Sequence, residues 1–101
     1  MLIYVAHKYQ GNKANLQHAI EITRDLQKND LANCYICPLI TFSYLDYGEL
    51  GFDDELALCL DILSVCDLLL ITSDVSKGVQ MEVDFAKLVG MEVQYLETQH
   101  S

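Results

Sequence analysis

One short stretch of this chain limits the folds open to it more than any other. Residues 67–72 read Asp-Leu-Leu-Leu-Ile-Thr, a continuous apolar run between polar residues. Such runs are typical of strands covered on both faces, and these strands belong mainly to parallel sheets flanked by helices. Three more strands are predicted at Leu2–Ala6, Tyr35–Ile40 and about Glu92–Leu96.

Helical spacing of apolar residues fills the intervals between these strands. It predicts helices over Asn12–Lys28, about Asp53–Ser64 and residues 76–91. Pro38 suits the end of the second strand, and a long aromatic loop is expected over Thr41–Asp54. This order predicts an α/β fold, a single doubly wound, Rossmann- or flavodoxin-like parallel sheet of four to five strands.

The composition narrows the class of protein and its partners. The chain has 101 residues, enough for one domain over 1–101, and a net charge of −9. This charge disfavours nucleic acid polymers and anionic membranes as partners, whereas a small nucleotide held by local donors remains compatible. The chain starts without a basic leader and has no apolar run near the roughly 18 residues of a membrane span, so a soluble cytoplasmic protein is expected.

The four cysteines are expected to be reduced structural thiols. Cys34 and Cys37 have the spacing of zinc ligands, but residues three apart on a strand point to opposite faces. Cys59 and Cys66 lie two turns apart on a predicted helix, too far for half of one tetrahedral site. No metal and no cofactor are therefore expected.

The second long helix is apolar almost all round, in a chain whose hydrophobic content is 51%. One face is formed by Leu56, Cys59, Leu60 and Leu63, and another by Leu58, Ile62 and Val65. The first face is expected to meet the sheet and the second to meet another subunit. The pattern thus predicts a homodimer or a higher homo-oligomer.

Glu82 occupies a position in the last helix where a carboxylate is unusual. With Ser76 as the N-cap and Gly90 as the stop, a turn of about 100° per residue places Glu82 in the apolar group that includes Phe85 and Val89. A buried carboxylate is paired, protonated or used in chemistry, because desolvating an unpaired charge is costly. Two roles stay open for Glu82, catalysis or the capping of N–H groups at the core edge.

Three segments follow strands and are expected to meet beyond the carboxyl ends of the sheet, where ligands bind in such folds. They are His7–Asn12, Phe42–Tyr47 and Ser73–Gly78. Ser76 and Gly78 offer a hydroxyl and backbone N–H groups at a helix N-terminus, an arrangement that binds phosphate. The attached sugar would lie about one turn, ~5 Å, along the helix, where an ionised Glu82 suits attack on an anomeric carbon.

Three stretches resemble the nucleoside 2-deoxyribosyltransferase family. They are Tyr4-Val-Ala-His-Lys-Tyr-Gln-Gly-Asn12, Cys66-Asp67-Leu-Leu-Leu and Ser76-x-Gly78-Val79-x-x-Glu82-x-x-x-Ala86. The similarity is greatest to the small bacterial and phage subgroup that includes the deoxynucleoside-monophosphate N-glycosidases. It covers nearly the whole chain, and the Ser-x-Gly-x-x-x-Glu stretch is its specific part.

The resemblance implies roles for single residues. Glu82 would be the nucleophile, and Tyr4 would contact the sugar or the nucleophile. The first loop would cover the phosphate. The residues implied to bind the ligand are His7, Lys8, Tyr9, Gly11, Asn12, Ser76, Gly78 and Val79.

Two positions depart from the family pattern. An Asp that in the family helps to protonate the leaving base falls on Cys59 here, and Asp61 lies near it on a different helical face as the remaining acid candidate. Relatives with phosphomonoester substrates carry Ser and Arg in the first loop, where this chain has Lys8 and Gln10. Lys8 would supply the positive charge as a point charge rather than as a bidentate fork.

Several further residues have two open interpretations each. His7 could contact phosphate or cap a turn, and Asp74 could bind a ribose hydroxyl or form a turn. Phe42 and Tyr44 could stack on a base or pack at a dimer interface.

Together these features predict a protein that binds a nucleoside, a nucleotide or an ADP-ribose-like molecule and cleaves or exchanges its N-glycosidic bond. The alternative is a non-catalytic binder that sequesters or senses a nucleotide-derived signal molecule. The missing acid at Cys59 favours this alternative.

Overall fold

The computed structural model describes residues 1–96 of the chain. Strands and helices alternate along it in the predicted order, apart from one short additional helix. The strands are β1 (Leu2–Ala6), β2 (Cys34–Ile36), β3 (Leu68–Ile71) and β4 (Glu92–Tyr95). The helices are α1 (Lys13–Lys28), α2 (Pro38–Thr41), α3 (Phe52–Leu63) and α4 (Lys77–Leu88).

The strands form one parallel sheet in the order β2-β1-β3-β4. Alternate residues of β1 point to opposite faces. Val5 packs with Ala19 of α1 on one face, and Tyr4 packs with Leu63 of α3 and Val83 of α4 on the other. Helices therefore cover both faces, which explains why β3 is apolar throughout. The predicted doubly wound α/β fold is confirmed, with four strands over the described residues.

Local chemistry fixes where α1 and α4 begin. The side-chain oxygen of Asn12 accepts a hydrogen bond from the N–H of Ala14 at 2.8 Å, and the hydroxyl oxygen of Ser76 accepts one from the N–H of Val79 at 3.3 Å. Each bond satisfies an N–H that has no partner inside the helix. Gly90 follows α4 with a φ of 76°, which glycine adopts without strain. The predicted cap at Ser76 and stop at Gly90 are confirmed.

The second strand is shorter than predicted. β2 ends at Ile36, and Pro38 stands at the start of α2 instead of at the end of a strand. Proline suits that position because its fixed φ fits the helix and the N–H it lacks would have had no partner. The prediction of a strand reaching Ile40 was wrong. The connection from α2 to α3, residues 42–51, is called the aromatic loop below.

α3 is covered only in part by its own chain, since Leu63 is its buried residue. Ile62 packs against the core beside Leu60, and Leu58 lines the cavity described below. Val65 lies beyond the end of α3 and is 67% exposed. Leu58 and Ile62 of the predicted outer face keep partial exposure, so the contact of this face with another subunit stays a prediction. The homo-oligomer likewise stays a prediction.

The helices formed by residues 1–96 are short. The longest, α1, has 16 residues. None of them combines the length and the apolar character that crossing a bilayer requires.

Candidate active site

A cavity of about 450 Å³ lies beyond the carboxyl ends of the strands, at the position where doubly wound sheets bind ligands. The buried side chains of Tyr4 and Glu82 form its inner end. Its other walls come from α3, the aromatic loop and the start of α4. The predicted site residues that line it are Tyr4, His7, Tyr9, Phe42, Ser76, Gly78, Val79 and Glu82.

Glu82 projects from α4 into this cavity with 8% of its surface exposed. The hydroxyl of Tyr4, which is fully buried, donates a hydrogen bond to Glu82 Oε2. Within residues 1–96 the ion pair is that between Lys8 and Asp74, and no cation pairs with Glu82. The carboxyl group is therefore held in the core by a neutral donor.

Burial controls the proton affinity of the Glu82 carboxyl group and the Tyr4 hydroxyl group. Removal from water raises the pKa of Glu82 to about 7, while the hydrogen bond from Tyr4 acts in the opposite direction. Burial and the neighbouring Glu82 raise the pKa of Tyr4 well above its usual value. The phenol therefore keeps its proton and remains the donor. Both the protonated and the ionised form of Glu82 are therefore accessible near neutral pH.

Cys59 of α3 lines the cavity and packs against the core cluster that contains Tyr4. Burial and then the charge of Glu82 raise the pKa of its thiol to about 11. A thiol with this pKa stays neutral and is a far weaker acid than a carboxylic acid. Cys59 therefore does not replace a carboxylic acid in protonating a leaving base.

His7 is buried in the cavity wall, and the protein uses both of its ring nitrogens. Nδ1 lies 2.7 Å from the carbonyl oxygen of Lys8, and Nε2 lies 3.3 Å from Nδ1 of His18. Because a carbonyl only accepts, we assign the Nδ1–H tautomer, so that Nε2 accepts from His18. Burial lowers the pKa of His7, which keeps the ring neutral. These contacts favour the turn-capping role of His7 over the phosphate contact.

Six predicted site residues do not line the cavity. Asp61 is exposed because it lies two residues after Cys59, about 200° further around α3. The acid role predicted for Asp61 thus has no support from the lining of the cavity. Nζ of Lys8 lies 3.2 Å from Oδ2 of Asp74. This ion pair neutralises the positive charge that Lys8 was expected to present to a phosphate. The other three are Gly11, Asn12 and Tyr44.

The cavity is also lined by residues that no sequence pattern predicted for the site. Lys77 follows the cap of α4, and its Nζ lies 4.7 Å from the centre of the Phe52 ring. Glu55 lies in the first turn of α3, four residues before Cys59 and thus on the same side of the helix. Helical spacing could have identified Glu55. No sequence pattern pointed to Lys77, because a lysine at a helix start is ordinarily solvated.

The aromatic loop meets the turn after β1 at the rim of the cavity. Tyr47 contacts Tyr9 edge to face, with ring centres 5.4 Å apart. The same ring lies so close to Gly11 that a Cβ there would come within 3.0 Å of it. Gly11 also has a φ of 71°, in the left-handed region that favours glycine. The aromatic loop and the turn after β1 therefore pack against each other through these residues.

The described residues show no cluster for a metal. Residues 1–96 hold no group of three or more His, Cys, Asp or Glu side chains that could bind a metal ion. The cysteines are free thiols, and Cys34 is exposed whereas Cys37 is buried. This pair therefore does not present two thiols to one ligand.

Comparison with known proteins bears on the fold. No protein-family model and no curated protein matches the chain. The structure is similar to that of a conserved protein from Enterococcus faecalis V583, with a TM-score of 0.78 and 21% sequence identity. The match covers 98% of this chain and 64% of that protein, so this chain spans less than two thirds of its length. At this level of identity, the likeness shows a shared α/β fold.

Proposed function

We propose that the protein binds a nucleoside, a nucleotide or an ADP-ribose-like molecule and cleaves or exchanges its N-glycosidic bond, with Glu82 as the nucleophile. The observation that carries this proposal is a buried carboxyl group at the inner end of a cavity, held by one neutral tyrosine. A structural carboxylate in a core is ordinarily paired with a cation or with several N–H donors. Glu82 has neither among residues 1–96, and its pKa of about 7 makes the ionised form accessible at neutral pH.

In the proposed reaction, ionised Glu82 attacks the anomeric carbon of the bound sugar. A C–O bond forms while the glycosidic C–N bond breaks, and its electron pair leaves with the base, which takes a proton from water. Water then attacks the glycosyl-enzyme to complete hydrolysis, or a second base attacks it to complete transfer. Tyr4 holds the carboxylate in one orientation and lowers its pKa, which enlarges the ionised fraction.

The direct test is incubation of the protein with a panel of nucleosides, nucleoside monophosphates and NAD, followed by chromatography of the released base. Release from at least one compound, lost on substitution of Glu82, supports the proposal. A panel without any release overturns the enzymatic form of it. Compounds that bind without release move the assignment to the binder described below.

For a phosphorylated ligand, we place the phosphate at the N-terminus of α4. A Cβ at Gly78 would meet nothing within 4 Å, so the approach to this backbone is open. Lys77, which lines the cavity, takes the role that the sequence analysis gave to Lys8. Ser76→Ala should weaken monophosphates more than the matching nucleosides in calorimetry, and it should cost about 1 kcal/mol of stability because it removes the cap on Val79. Equal losses for both ligand types would locate the phosphate elsewhere.

Tyr4→Phe should move the pH dependence of base release upward. Its hydroxyl stabilises the ionised form of Glu82, so its removal raises the pKa of Glu82 further above its present value of about 7. The rate at neutral pH should fall several-fold and should recover at alkaline pH, where Glu82 is ionised again. Tyr95→Phe, a change at an exposed tyrosine of β4, is the matched control and should leave the profile in place. An unshifted pH profile in Tyr4→Phe would show that the Tyr4 hydroxyl does not influence the titration of Glu82.

The second candidate function is a binder without catalysis. It is favoured by the placement of Asp61 outside the cavity and by the neutral thiol of Cys59 inside it. With these groups, no carboxylic acid at the Cys59 position helps the base to leave. Tight binding together with an absence of base release would support this candidate.

A further inference from the structure

We infer that Glu55 recognises the base, and that it selects nucleobases carrying an amino group. This inference rests on the proposed function, because it takes the cavity to hold a nucleoside. Glu55 is half-buried and lines the same cavity as Glu82, but from α3 instead of α4. The reaction proposed above gives it no part.

The position of Glu55 matches the place of a base. Glu55 and Cys59 are one turn apart on the same side of α3, about 5 Å along the helix axis. Cys59 packs with the cluster that contains Tyr4, the partner of Glu82. When the anomeric carbon meets Glu82 at the inner end, the attached base occupies the remainder of the same cavity, which Glu55 lines.

The chemistry of the surrounding wall gives Glu55 its selectivity. α3 and the aromatic loop otherwise contribute the apolar side chains Phe42, Leu45, Leu50, Leu56 and Leu58, while the polar Ser43 and Asp46 of the loop are exposed. Apolar surface packs against the face of any base, so a polar group on such a wall decides orientation and specificity. An ionised carboxylate only accepts hydrogen bonds, and its partner must therefore be a donor such as an exocyclic amine.

Glu55 is free to take such a partner. No hydrogen bond or ion pair engages its carboxylate within residues 1–96, where the ion pair is that of Lys8 and Asp74. Asp53 and Asp54 share the first turn of α3 and complement the helix dipole, but both are exposed and neither lines the cavity. They provide matched controls for a loss of negative charge at this helix end.

The test uses pairs of nucleosides that differ by one amino group. One pair is 2′-deoxyadenosine with purine 2′-deoxyriboside, and the other is 2′-deoxycytidine with the analogue that has hydrogen in place of its amino group. Calorimetry on the Glu82→Gln background separates recognition from chemistry. We expect the amino-bearing member of at least one pair to bind about tenfold to hundredfold more tightly. Glu55→Leu should abolish this ratio, Glu55→Gln should reduce it, and Asp54→Asn should preserve it.

Each outcome is decisive. A ratio that persists in Glu55→Leu, or equal binding within both pairs before substitution, overturns the role of Glu55. If Glu55→Leu does not fold, an undiminished ratio in Glu55→Gln overturns it. The binding ratio could depend on Glu55 while the wild-type protein releases no base. In that case the role of Glu55 in recognition stands, and only the proposed cleavage of the N-glycosidic bond is overturned. Absence of binding by all of these nucleosides overturns the role of Glu55, whereas the proposed function is tested separately by the panel that includes nucleoside monophosphates and NAD.

Discussion

Glu82→Gln is expected to abolish base release, with a loss of about 10³-fold or more in kcat. The amide keeps the shape of the side chain and an oxygen that accepts the hydrogen bond from Tyr4. It lacks the negative charge that makes the carboxylate a nucleophile. Fold and ligand affinity should therefore persist while turnover disappears, which chromatography of released base and calorimetry measure separately.

Two controls make this result specific. Glu21→Gln is the same chemical change at an exposed position of α1 and should keep wild-type turnover. A 2-fluoro sugar analogue, which slows the breakdown of a glycosyl-enzyme, should add its mass to the peptide that contains Glu82 in the wild type alone. Undiminished turnover in Glu82→Gln would remove Glu82 from the mechanism.

The stability of the wild type, relative to Glu82→Gln, should fall as the pH rises from about 4.5 to about 7. Burial raises the pKa of Glu82 from 4.5 to about 7, so in this interval the folded state holds a proton that the unfolded state has lost. Stability falls with pH wherever the folded state binds more protons, and this pKa difference corresponds to about 3 kcal/mol. The difference should level off at higher pH, where both states are ionised.

Thermal denaturation of both proteins between about pH 5 and about pH 8 checks this expectation. The gap between their melting temperatures should change by an amount on the order of 10 °C across the interval. Glu21→Gln should follow the wild type at every pH, because its carboxylate is exposed in both states. Parallel curves for the wild type and Glu82→Gln would contradict a raised pKa for Glu82.

The fold could be predicted because its signals are local. The apolar run of β3, the cap at Ser76 and the stop at Gly90 each depend on a few neighbouring residues. The start of α2 could not be predicted in this way. Leu39 and Ile40 pack against the core formed by α1 and β1, and this contact favours a helical turn where the local pattern favours a strand.

The candidate site could be predicted where one helix supplies its residues. Ser76 and Glu82 both belong to the α4 segment, so helical spacing alone relates them. Helical spacing relates Glu55 to Cys59, but the approach of this side of α3 to α4 is a tertiary contact that no local pattern encodes. The pairing of Lys8 with Asp74, 66 residues away in the chain, is likewise invisible to a local pattern.

The meeting of Tyr9 and Tyr47 at the cavity rim has a spectroscopic consequence. The chain contains six tyrosines and no tryptophan, so no indole receives tyrosine excitation by energy transfer. Its native fluorescence comes from phenols, and three of these, Tyr4, Tyr9 and Tyr47, line the cavity. A molecule that enters the cavity changes the surroundings of these three rings directly. The protein thus carries its own optical label for occupancy, without a dye or a substitution.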